Sequence, residues 1–256
     1  MIWIIAYCIG MYVIAGMGVA IGYHRLLCHK CADVSRWFEY CLVIFGLPAG
    51  TPVQWVGNHR AHHKFADKEG DPHSPVLEGF WYAHCGWYIQ SSNPMLCMIY
   101  ALAGPGRMFL DSFMRPRSNQ EHIIYAKDIS QIKFYAWLSN PWNYMIIMWI
   151  YLIVVIGVPL WLFGLNGALM AGITLVFIYN VSDAVDSFGH LIGKKTGKSG
   201  ARNNVVLGWI SFGDGWHSNH QQHPRSARLG TKKGQFDLAY MFLLGLKRIG
   251  LVKKLY

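Results

Sequence analysis

Residues 2–29 read IWIIAYCIGMYVIAGMGVAIGYHRLLCH, an apolar run that leads directly into a pair of histidines. Residues 2–22 carry no charge, and as an α-helix they would be about 30 Å long, which matches the hydrocarbon core of a bilayer. The stretch has neither the basic start nor the small-residue cleavage site of a removable signal peptide. It therefore predicts a membrane-spanning helix that ends at a histidine-containing site.

The composition also indicates a membrane protein. Of the 256 residues, 53% are hydrophobic and 14% are charged, whereas soluble domains are about 25% charged. The net charge is +10, and 12 of the 23 Lys and Arg but only 2 of the 13 Asp and Glu lie after residue 190. This bias predicts a cytoplasmic face that contacts anionic lipid head groups. Because no nucleic-acid-binding motif accompanies the charge, we exclude nucleic acid as a partner.

Two further apolar stretches predict spanning helices. Residues 142–163 and 168–185 are joined by the turn sequence Gly164-Leu-Asn-Gly167, which makes them a helical hairpin. Residues 42–56 are apolar too, but two glycines and two prolines interrupt them, so we expect them to lie in the interface or to re-enter. Residues 236–256 alternate apolar and basic positions, which predicts an amphipathic interfacial helix.

These elements predict an all-α, multi-pass integral membrane protein with a single domain, residues 1–256. Three spanning helices are visible. If residues 42–56 do not cross, every histidine-rich sequence lies on one side of the membrane. The fold class is therefore a set of spanning helices with a helical cap on the cytoplasmic face, and the cap holds a dinuclear histidine site.

Eight of the twelve histidines fall into four groups. Positions i, i+3 and i+4 share one face of a helix, so the members of the last three groups can point into a common space. The first two histidines are five residues apart, which predicts that their helix ends or distorts between them. The groups are His24 and His29; His59, His62 and His63; Asp186 and His190; and His217 and His220.

The spacing of these residues narrows the chemistry. The zinc-protease motif HExxH is absent, and no Glu has a His three residues later, as soluble di-iron carboxylate proteins require. One first-row ion accepts about four to six ligands, so the set predicts two metal ions, and iron used with dioxygen is the favoured interpretation. We interpret His84 and His122 as hydrogen-bonded structural residues. Asp71 and His73 could support the ligands from behind.

The histidine groups resemble the boxes HxxxxH, HxxHH and HxxHH of integral-membrane fatty acyl desaturases of the Δ9 type. The similarity covers nearly the whole chain and includes the flanks of the boxes in residues 22–29, 58–74 and 213–228. It implies that Asp186 stands where the family has an asparagine that contacts one iron through water. It also implies a ligand set for two iron ions that consists of His24, His29, His59, His62, His63, His190, His217 and His220.

The third box departs from the family pattern. Gln221 stands where the family has a ninth histidine, and an amide oxygen binds iron more weakly than imidazole does. His223 is the other candidate for the ninth ligand, although Pro224 disfavours helix at that position. Both candidates are open at the level of sequence.

A second departure concerns the substrate. Animal acyl-CoA members of the family carry basic residues just before the second box and after the Gly-Trp that follows it, and these places hold Gly57 and Ser91-Ser92. The difference favours the bacterial and cyanobacterial type, some of which act on lipid-bound acyl chains. Acyl-CoA is the alternative substrate. Family members usually have one more spanning helix ahead of the first box, so we expect this chain to lack the family's first transmembrane helix.

The resemblance implies an O2-dependent oxidoreductase that uses two electrons to insert a cis double bond, at Δ9, into a long saturated acyl chain. A hydroxylase or related oxygenase on the same di-iron scaffold is one alternative, and a non-catalytic, degenerate metal-binding homologue is another. The family also implies an electron donor such as ferredoxin or cytochrome b5, which we expect to dock on the basic cytoplasmic face. Membrane lipid and the fatty acyl substrate are the other expected partners.

Overall fold

The computed structural model describes residues 1–256 and is mainly helical. The α-helices are α1 (Ile2–Met17), α2 (Arg36–Gly46), α3 (Pro52–Phe65), α4 (Trp87–Ile89), α5 (Pro94–Leu102), α6 (Pro105–Met114), α7 (Lys127–Ser130), α8 (Lys133–Leu138), α9 (Pro141–Leu152), α10 (Val158–Asp186), α11 (Phe188–Leu191), α12 (Val205–Ile210), α13 (His217–Gln222) and α14 (Leu238–Arg248). Three segments wind as π-helix: Gly18–Cys28, Tyr82–Gly86 and Ile153–Gly157. The 3-10 segments are Leu47–Ala49, Arg115–Arg117 and Gln120–Ala126, and the strands are β1 (Ala32–Val34) and β2 (Val252–Leu255).

Two helical stretches are long and apolar enough to cross a membrane, Ile2–Cys28 and Pro141–Leu191. The second has 51 residues, more than one crossing needs, and its backbone leaves the helical region at Gly164, with φ 65° and ψ −159°. The chain folds back at this point. A Cβ placed on Gly167 would lie 2.3 Å from the carbonyl oxygen of Pro159, which shows how closely the segments before and after the turn approach each other. The predicted turn of the hairpin is confirmed, while the number of membrane crossings stays a prediction.

The interruption predicted within residues 42–56 is also present. Helix α2 ends at Gly46 and a 3-10 turn follows it. The backbone of Gly50 then has φ 132°, a conformation that residues with a Cβ rarely adopt. Helix α3 begins again at Pro52, with the Thr51 side chain accepting a hydrogen bond from the backbone N–H of Gln54 as an N-cap. This restart sets the direction of the helix that carries the second histidine box.

The prediction of one helix over residues 236–256 is wrong for its last part. Helix α14 ends at Arg248, Gly250 follows with φ 82°, and Val252–Leu255 forms β2. This strand pairs antiparallel with β1, so that Ala32 lies opposite Leu255. The pairing satisfies backbone groups of both segments and buries Val252, which is 2% exposed. Local periodicity does not reveal a partner more than 200 residues away in the chain.

The end of α10 is fixed by a buried ion pair. Arg107 on α6 donates two hydrogen bonds to Asp183, with Nη1–Oδ2 at 2.5 Å and Nη2–Oδ1 at 3.1 Å. Both side chains are excluded from solvent, so the charge of Asp183 depends on Arg107, whose Nε also lies 3.7 Å from Asp111 Oδ2. Asp186 and His190 lie three and seven residues beyond Asp183, on the same side of the chain. The ion pair therefore holds the segment that brings these two residues to the histidine site.

Candidate metal centre

The first histidine pair lies on a distorted helix, as its spacing predicts. Residues Gly18–Cys28 wind as a π-helix, and the N–H of His29 donates to the carbonyl of His24, five residues earlier, at 3.2 Å. In an α-helix five residues correspond to a rotation of about 140°. The wider winding instead brings the two imidazoles together, with ring centroids 5.1 Å apart. Such π-helical segments are frequent at functional sites.

Helices α3 and α13 each divide their histidines between two places. On α3, Nε2 of His59 and Nε2 of His63 are 3.1 Å apart, whereas the ring of His62 lies 6.0 Å from that of His63. On α13, the rings of His217 and His220 are 6.0 Å apart. The histidines predicted to share one face of each helix therefore belong to two groups of imidazoles rather than one.

The first group contains five histidines. The ligand atoms of His24, His29, His59 and His220 all lie within 4.8 Å of one another. Nε2 of His220 is 2.9 Å from Nε2 of His24 and also 2.9 Å from Nε2 of His63. Nε2 of His59 is 3.0 Å from Nε2 of His29. Nε2 of His63 adjoins these four, since it lies 3.1 Å from Nε2 of His59 as well.

The second group contains three buried histidines. The ligand atoms of His62, His190 and His217 lie within 4.8 Å of one another, and Nε2 of His190 is 3.0 Å from Nε2 of His217. The side-chain amide of Gln221 approaches Nε2 of His62 at 3.0 Å, and a rotation of that amide by 180° exchanges its oxygen and nitrogen. His223 is exposed at the end of α13. Of the two candidates for a ninth ligand, Gln221 is the one that lies beside the histidines.

Three aspartates fix the protons of the imidazoles. The Nδ1 atoms of three histidines lie at hydrogen-bond distance from carboxylates: His24 from Asp214 at 3.0 Å, His62 from Asp71 at 2.9 Å, and His190 from Asp67 at 2.9 Å. An ionised carboxylate only accepts hydrogen bonds, so each Nδ1 carries the proton and each Nε2 presents a lone pair. Burial by itself would raise the pKa of Asp71, but the hydrogen bond from His62 brings that pKa below its usual range.

This arrangement fits a metal-binding site. Lone pairs that face one another at about 3 Å repel unless a cation lies between them, and carboxylates behind metal-binding imidazoles orient the rings in the same way. The Nδ1 atoms of His217 and His220 are buried and have no protein hydrogen-bond partner, so no carboxylate orients these two rings. The donor set of neutral imidazoles suits first-row transition ions such as iron.

The sequence pointed to Asp71 and His73 as supporting residues, and both lie behind His62. The ring of His73 stacks on that of His62 at 4.5 Å, and the backbone N–H of His73 donates to Asp71 Oδ1 at 3.2 Å. The equivalent roles of Asp67 and Asp214 were missed. Both could have been found from their positions in the sequence, because Asp67 closely follows the second box and Asp214 closely precedes the third.

The two histidines that we interpreted as structural lie in hydrogen bonds outside both groups. His84 lies between Ser187 Oγ at 2.9 Å and Asn180 Oδ1 at 3.0 Å. His122 Nδ1 is 2.6 Å from Asn58 Oδ1. Neither ring belongs to a group of converging ligand atoms.

An apolar cavity reaches the histidine groups from the side of the spanning helices. Its inner end is formed by His24, His59 and His217, and Asp186 and His73 lie there too. Asp186 belongs to neither group of converging ligand atoms. The walls come from α1, the π-helical segment after it, α10 and the loop before α13, through Tyr12, Ala15, Gly16, Val19, Ile178, Val181, Val185 and Phe212. A long hydrocarbon chain is the kind of ligand that such walls accept.

Burial keeps the imidazoles neutral near pH 7, which gives a pH prediction. Burial, followed by the charge of His73, lowers the pKa of His62 to about 4, and burial takes the pKa of His217 and His220 well below the ordinary value. An unfolded imidazole has a pKa of about 6.5, so between about 4 and 6.5 the unfolded chain binds more protons. The free energy of unfolding, and metal retention with it, should therefore fall as the pH drops through this window.

Bound metal per chain and the unfolding temperature, measured from pH 7.5 to 4.5, test this expectation. The variant His223→Asn, which changes an exposed imidazole, should give the same profile as the wild type. Full metal retention at pH 4.5 would contradict ligation by these imidazoles.

Known proteins resemble this chain along most of its length. A family model described as fatty acid desaturase matches residues 1–226. The sn-1 stearoyl-lipid 9-desaturase of Synechocystis is 34% identical over 95% of this chain and 69% of its own length. Delta-9 acyl-lipid desaturase 2 of Arabidopsis thaliana is 32% identical over 94% and 70%. The chloroplastic palmitoyl-monogalactosyldiacylglycerol delta-7 desaturase of Arabidopsis thaliana is 30% identical over 94% of this chain but 59% of its own length.

Proposed function

Because the chain belongs to the fatty acid desaturase family, a family of oxidoreductases, we propose that it is an O2-dependent fatty acyl desaturase. It inserts a cis double bond, at Δ9, into a long saturated acyl group within a membrane. The observation that carries this proposal is the convergence of eight histidines in two adjacent groups, three of which, His24, His59 and His217, line an apolar cavity. The relatives that are named for position 9 support the position of the double bond.

We assign the two groups of imidazoles to two iron ions, which would supply the activation of dioxygen. The first ion would be held by five histidines. The second would have three histidines and the amide oxygen of Gln221, and Asp186, which lines the same cavity as His217, would act on it directly or through water. A second ion with fewer imidazoles than the first would be more easily lost and more sensitive to its surroundings.

The chain's own residues position the acyl group and exclude water. The apolar walls bind an extended hydrocarbon, and the ring of Trp55, stacked on His59 at 4.9 Å, covers one side of the inner end.

The reaction is R–CH2–CH2–R′ + O2 + 2 e− + 2 H+ → R–CH=CH–R′ + 2 H2O. Two C–H bonds break, one C=C bond forms, and O2 is reduced to two waters by two electrons from the substrate and two from a donor. Exclusion of bulk water limits side reactions.

The surroundings of Gly57 support a lipid-bound acyl group rather than acyl-CoA. A Cβ at this position would lie 2.6 Å from the carbonyl oxygen of His122, so a basic side chain that could contact a CoA phosphate does not fit without a backbone shift. Ser91 and Ser92 supply no positive charge at the other place. An acyl chain esterified in a membrane lipid needs neither cation, and the two acyl-lipid relatives named above agree with this substrate class.

We further propose that the protein crosses the membrane three times within these residues. Ile2–Cys28 would cross once, and Pro141–Leu191 would cross twice because it folds back at Gly164. The histidine groups would then face the cytoplasm together with the basic residues after position 190. Ferredoxin or cytochrome b5 is the proposed class of electron donor.

Analysis of lipid composition tests the activity. The gene should be expressed in a host that lacks its own desaturase, and the fatty acids should be measured by gas chromatography with mass spectrometry. We expect a new monounsaturated acid with its double bond at carbon 9, found first in membrane lipids rather than in acyl-CoA. A hydroxy acid in its place would support the oxygenase, because the outcome depends on where the chain lies relative to the metal.

The variant Gln221→His separates the enzyme from a degenerate homologue. It would add a fourth imidazole to the second group, and we expect activity to persist and the content of the second iron to rise. Product formed only by the variant, with none from the wild type, would show that the native chain is inactive.

A further inference from the structure

Arg25, which directly follows the proposed ligand His24, is completely buried although its side chain is charged. A buried charge is stable only when it is paired and hydrogen-bonded. The guanidinium donates from Nη1 to the Ala20 carbonyl at 2.7 Å and to Asp214 Oδ1 at 2.8 Å, from Nη2 to Asp237 Oδ1 at 3.0 Å, and from Nε to the Ala227 carbonyl at 3.1 Å. The side chain therefore joins the first histidine box to two distant parts of the chain.

The carboxylate of Asp214 lies between this arginine and the first histidine group. Its Oδ1 atom is 3.0 Å from Nδ1 of His24 and 2.8 Å from Nη1 of Arg25, so one oxygen accepts both hydrogen bonds. The position of Arg25 thus fixes the oxygen that orients the His24 ring. Asp67 and Asp71, the carboxylates behind the second group, form ion pairs only with histidines. Support by an arginine is therefore particular to the first group.

The carboxylate of Asp237 ties Arg25 to the last part of the chain. Its Oδ2 atom accepts hydrogen bonds from the backbone N–H groups of Leu229 at 2.7 Å and Gly230 at 3.3 Å. Its Oδ1 atom accepts one from the N–H of Tyr240 at 3.0 Å and so caps the start of α14. The match to the family model ends at residue 226, so these contacts come from residues beyond the matched region.

The same part of the chain also contacts the first and third boxes at other points. Strand β2 pairs with β1 just after the first box, and the N–H of Tyr256 donates to the carbonyl of Cys31 at 2.9 Å. On α13, the side-chain amide of Asn219 donates to the carbonyl of Leu229 at 2.8 Å. Residues 227–256 are thus held against the segments that carry the histidines, and Arg25 is their buried link to His24.

We propose that Arg25 is a positioning residue for His24 and that, through Asp237, it makes the first metal site depend on residues 227–256. The inference rests on the proposed assignment of the first histidine group to one of the two ions. The planar fork of arginine reaches acceptors on both sides at once, whereas lysine has a single ammonium group. The shape of the side chain, and not its charge alone, is required.

The test measures binding of Co2+ to the metal-free, full-length protein in detergent, followed by absorbance, because Co2+ accepts imidazole ligands and is coloured. The variants His29→Ala and His190→Ala identify which binding step belongs to the first group and which to the second. Arg25→Lys keeps the charge but loses the fork. Asp237→Asn leaves Arg25 and Asp214 together and removes the charged link to residues 227–256.

The matched control is Asp128→Asn. It breaks an ion pair with Arg60 at 2.6 Å, and Arg60 donates to the carbonyls of Leu27 and Cys28 in the same π-helical segment that contains Arg25. Asp128 has no hydrogen bond or ion pair with a histidine or with a carboxylate behind one. The control therefore disturbs the segment without disturbing the support of His24.

We expect both test variants to weaken the first binding step by at least ~10-fold and to leave the second step unchanged. In desaturation, kcat should fall while KM for the acyl substrate stays the same, because neither Arg25 nor Asp237 lines the acyl cavity. The control should match the wild type. If Arg25→Lys does not fold, Asp237→Asn carries the test.

An unchanged first step would overturn the proposal, and so would equal weakening of both steps, which would indicate a general loss of structure. An effect of Arg25→Lys without any effect of Asp237→Asn would refute the dependence on residues 227–256. Metal binding is measured without substrate, so the proposed reaction is tested separately. The expected loss in both variants, with no unsaturated product from the wild type, would leave this inference standing and refute the desaturase. Product from the wild type, with a first step indifferent to both substitutions, would refute this inference alone.

Discussion

Replacement of His220 by alanine should lower desaturation by at least ~100-fold and remove much of the bound iron. Nε2 of His220 lies 2.9 Å from Nε2 of both His24 and His63, so this ring stands in the middle of the first group. Its loss removes a ligand and leaves the lone pairs of its neighbours without their common cation. Iron per chain, by mass spectrometry of the metal, and the yield of unsaturated product measure the effect.

The control for this experiment is His223→Ala, three residues later on the same segment. Its imidazole is exposed and lies outside both groups, so iron content and product should match the wild type. If His220→Ala kept full iron and full activity, the proposed ligand assignment would be wrong. If His223→Ala lost iron as completely, the ninth ligand would have to be reassigned from Gln221.

The largest expected effect on stability comes from Arg107→Met. The substitution leaves Asp183 charged in a site from which solvent is excluded, and removal of one partner of such a pair costs about 3–5 kcal/mol in the free energy of unfolding. Because the pair anchors the segment that carries His190, the second iron should be depleted as well. Unfolding by denaturant in detergent micelles and metal analysis measure the two effects.

A double variant tests the reason for this effect. Arg107→Met/Asp183→Leu removes both charges, and replacement of a whole buried pair by apolar side chains is often close to neutral, so most of the lost stability should return. The comparison variant Arg36→Met breaks an ion pair with Glu39 whose arginine side chain is 59% exposed, and it should cost less than about 1 kcal/mol. If the double variant is no more stable than Arg107→Met, the loss arises from packing around the arginine rather than from the orphaned charge.

Helical spacing explains why much of the site could be predicted. His59, His62 and His63 recur at i, i+3 and i+4, so their common side of a helix follows from the sequence. Their division between two groups depends on how α3 is rotated against α13, and that rotation is set by packing that no single segment contains. The interrupted stretch before α3 was predictable for a similar local reason, since Gly50 and Pro52 disfavour continuous helix.

Contacts between distant parts of the chain account for what was not predicted. Asp67 follows the second box closely, yet its partner is His190, 123 residues further on. Asp214 likewise pairs with His24, 190 residues earlier. The strand Val252–Leu255 is invisible in its own sequence because β1 supplies its hydrogen-bond partners. The periodicity of a sequence indicates which residues share one face of a helix or strand, but it does not identify the segment that packs against that face.

Because Gly18–Cys28 winds as a π-helix, the number of residues between His24 and His29 and the type of helix that carries them should change together during evolution. Loss of one residue between His24 and His29 would give a spacing of four, and four residues share one face in an ordinary α-helix. A shortened descendant could therefore keep both imidazoles at the metal by returning to α-helical winding. Gain of a residue there has no comparable remedy. Homologous chains should consequently tolerate a shorter first motif far more readily than a longer one.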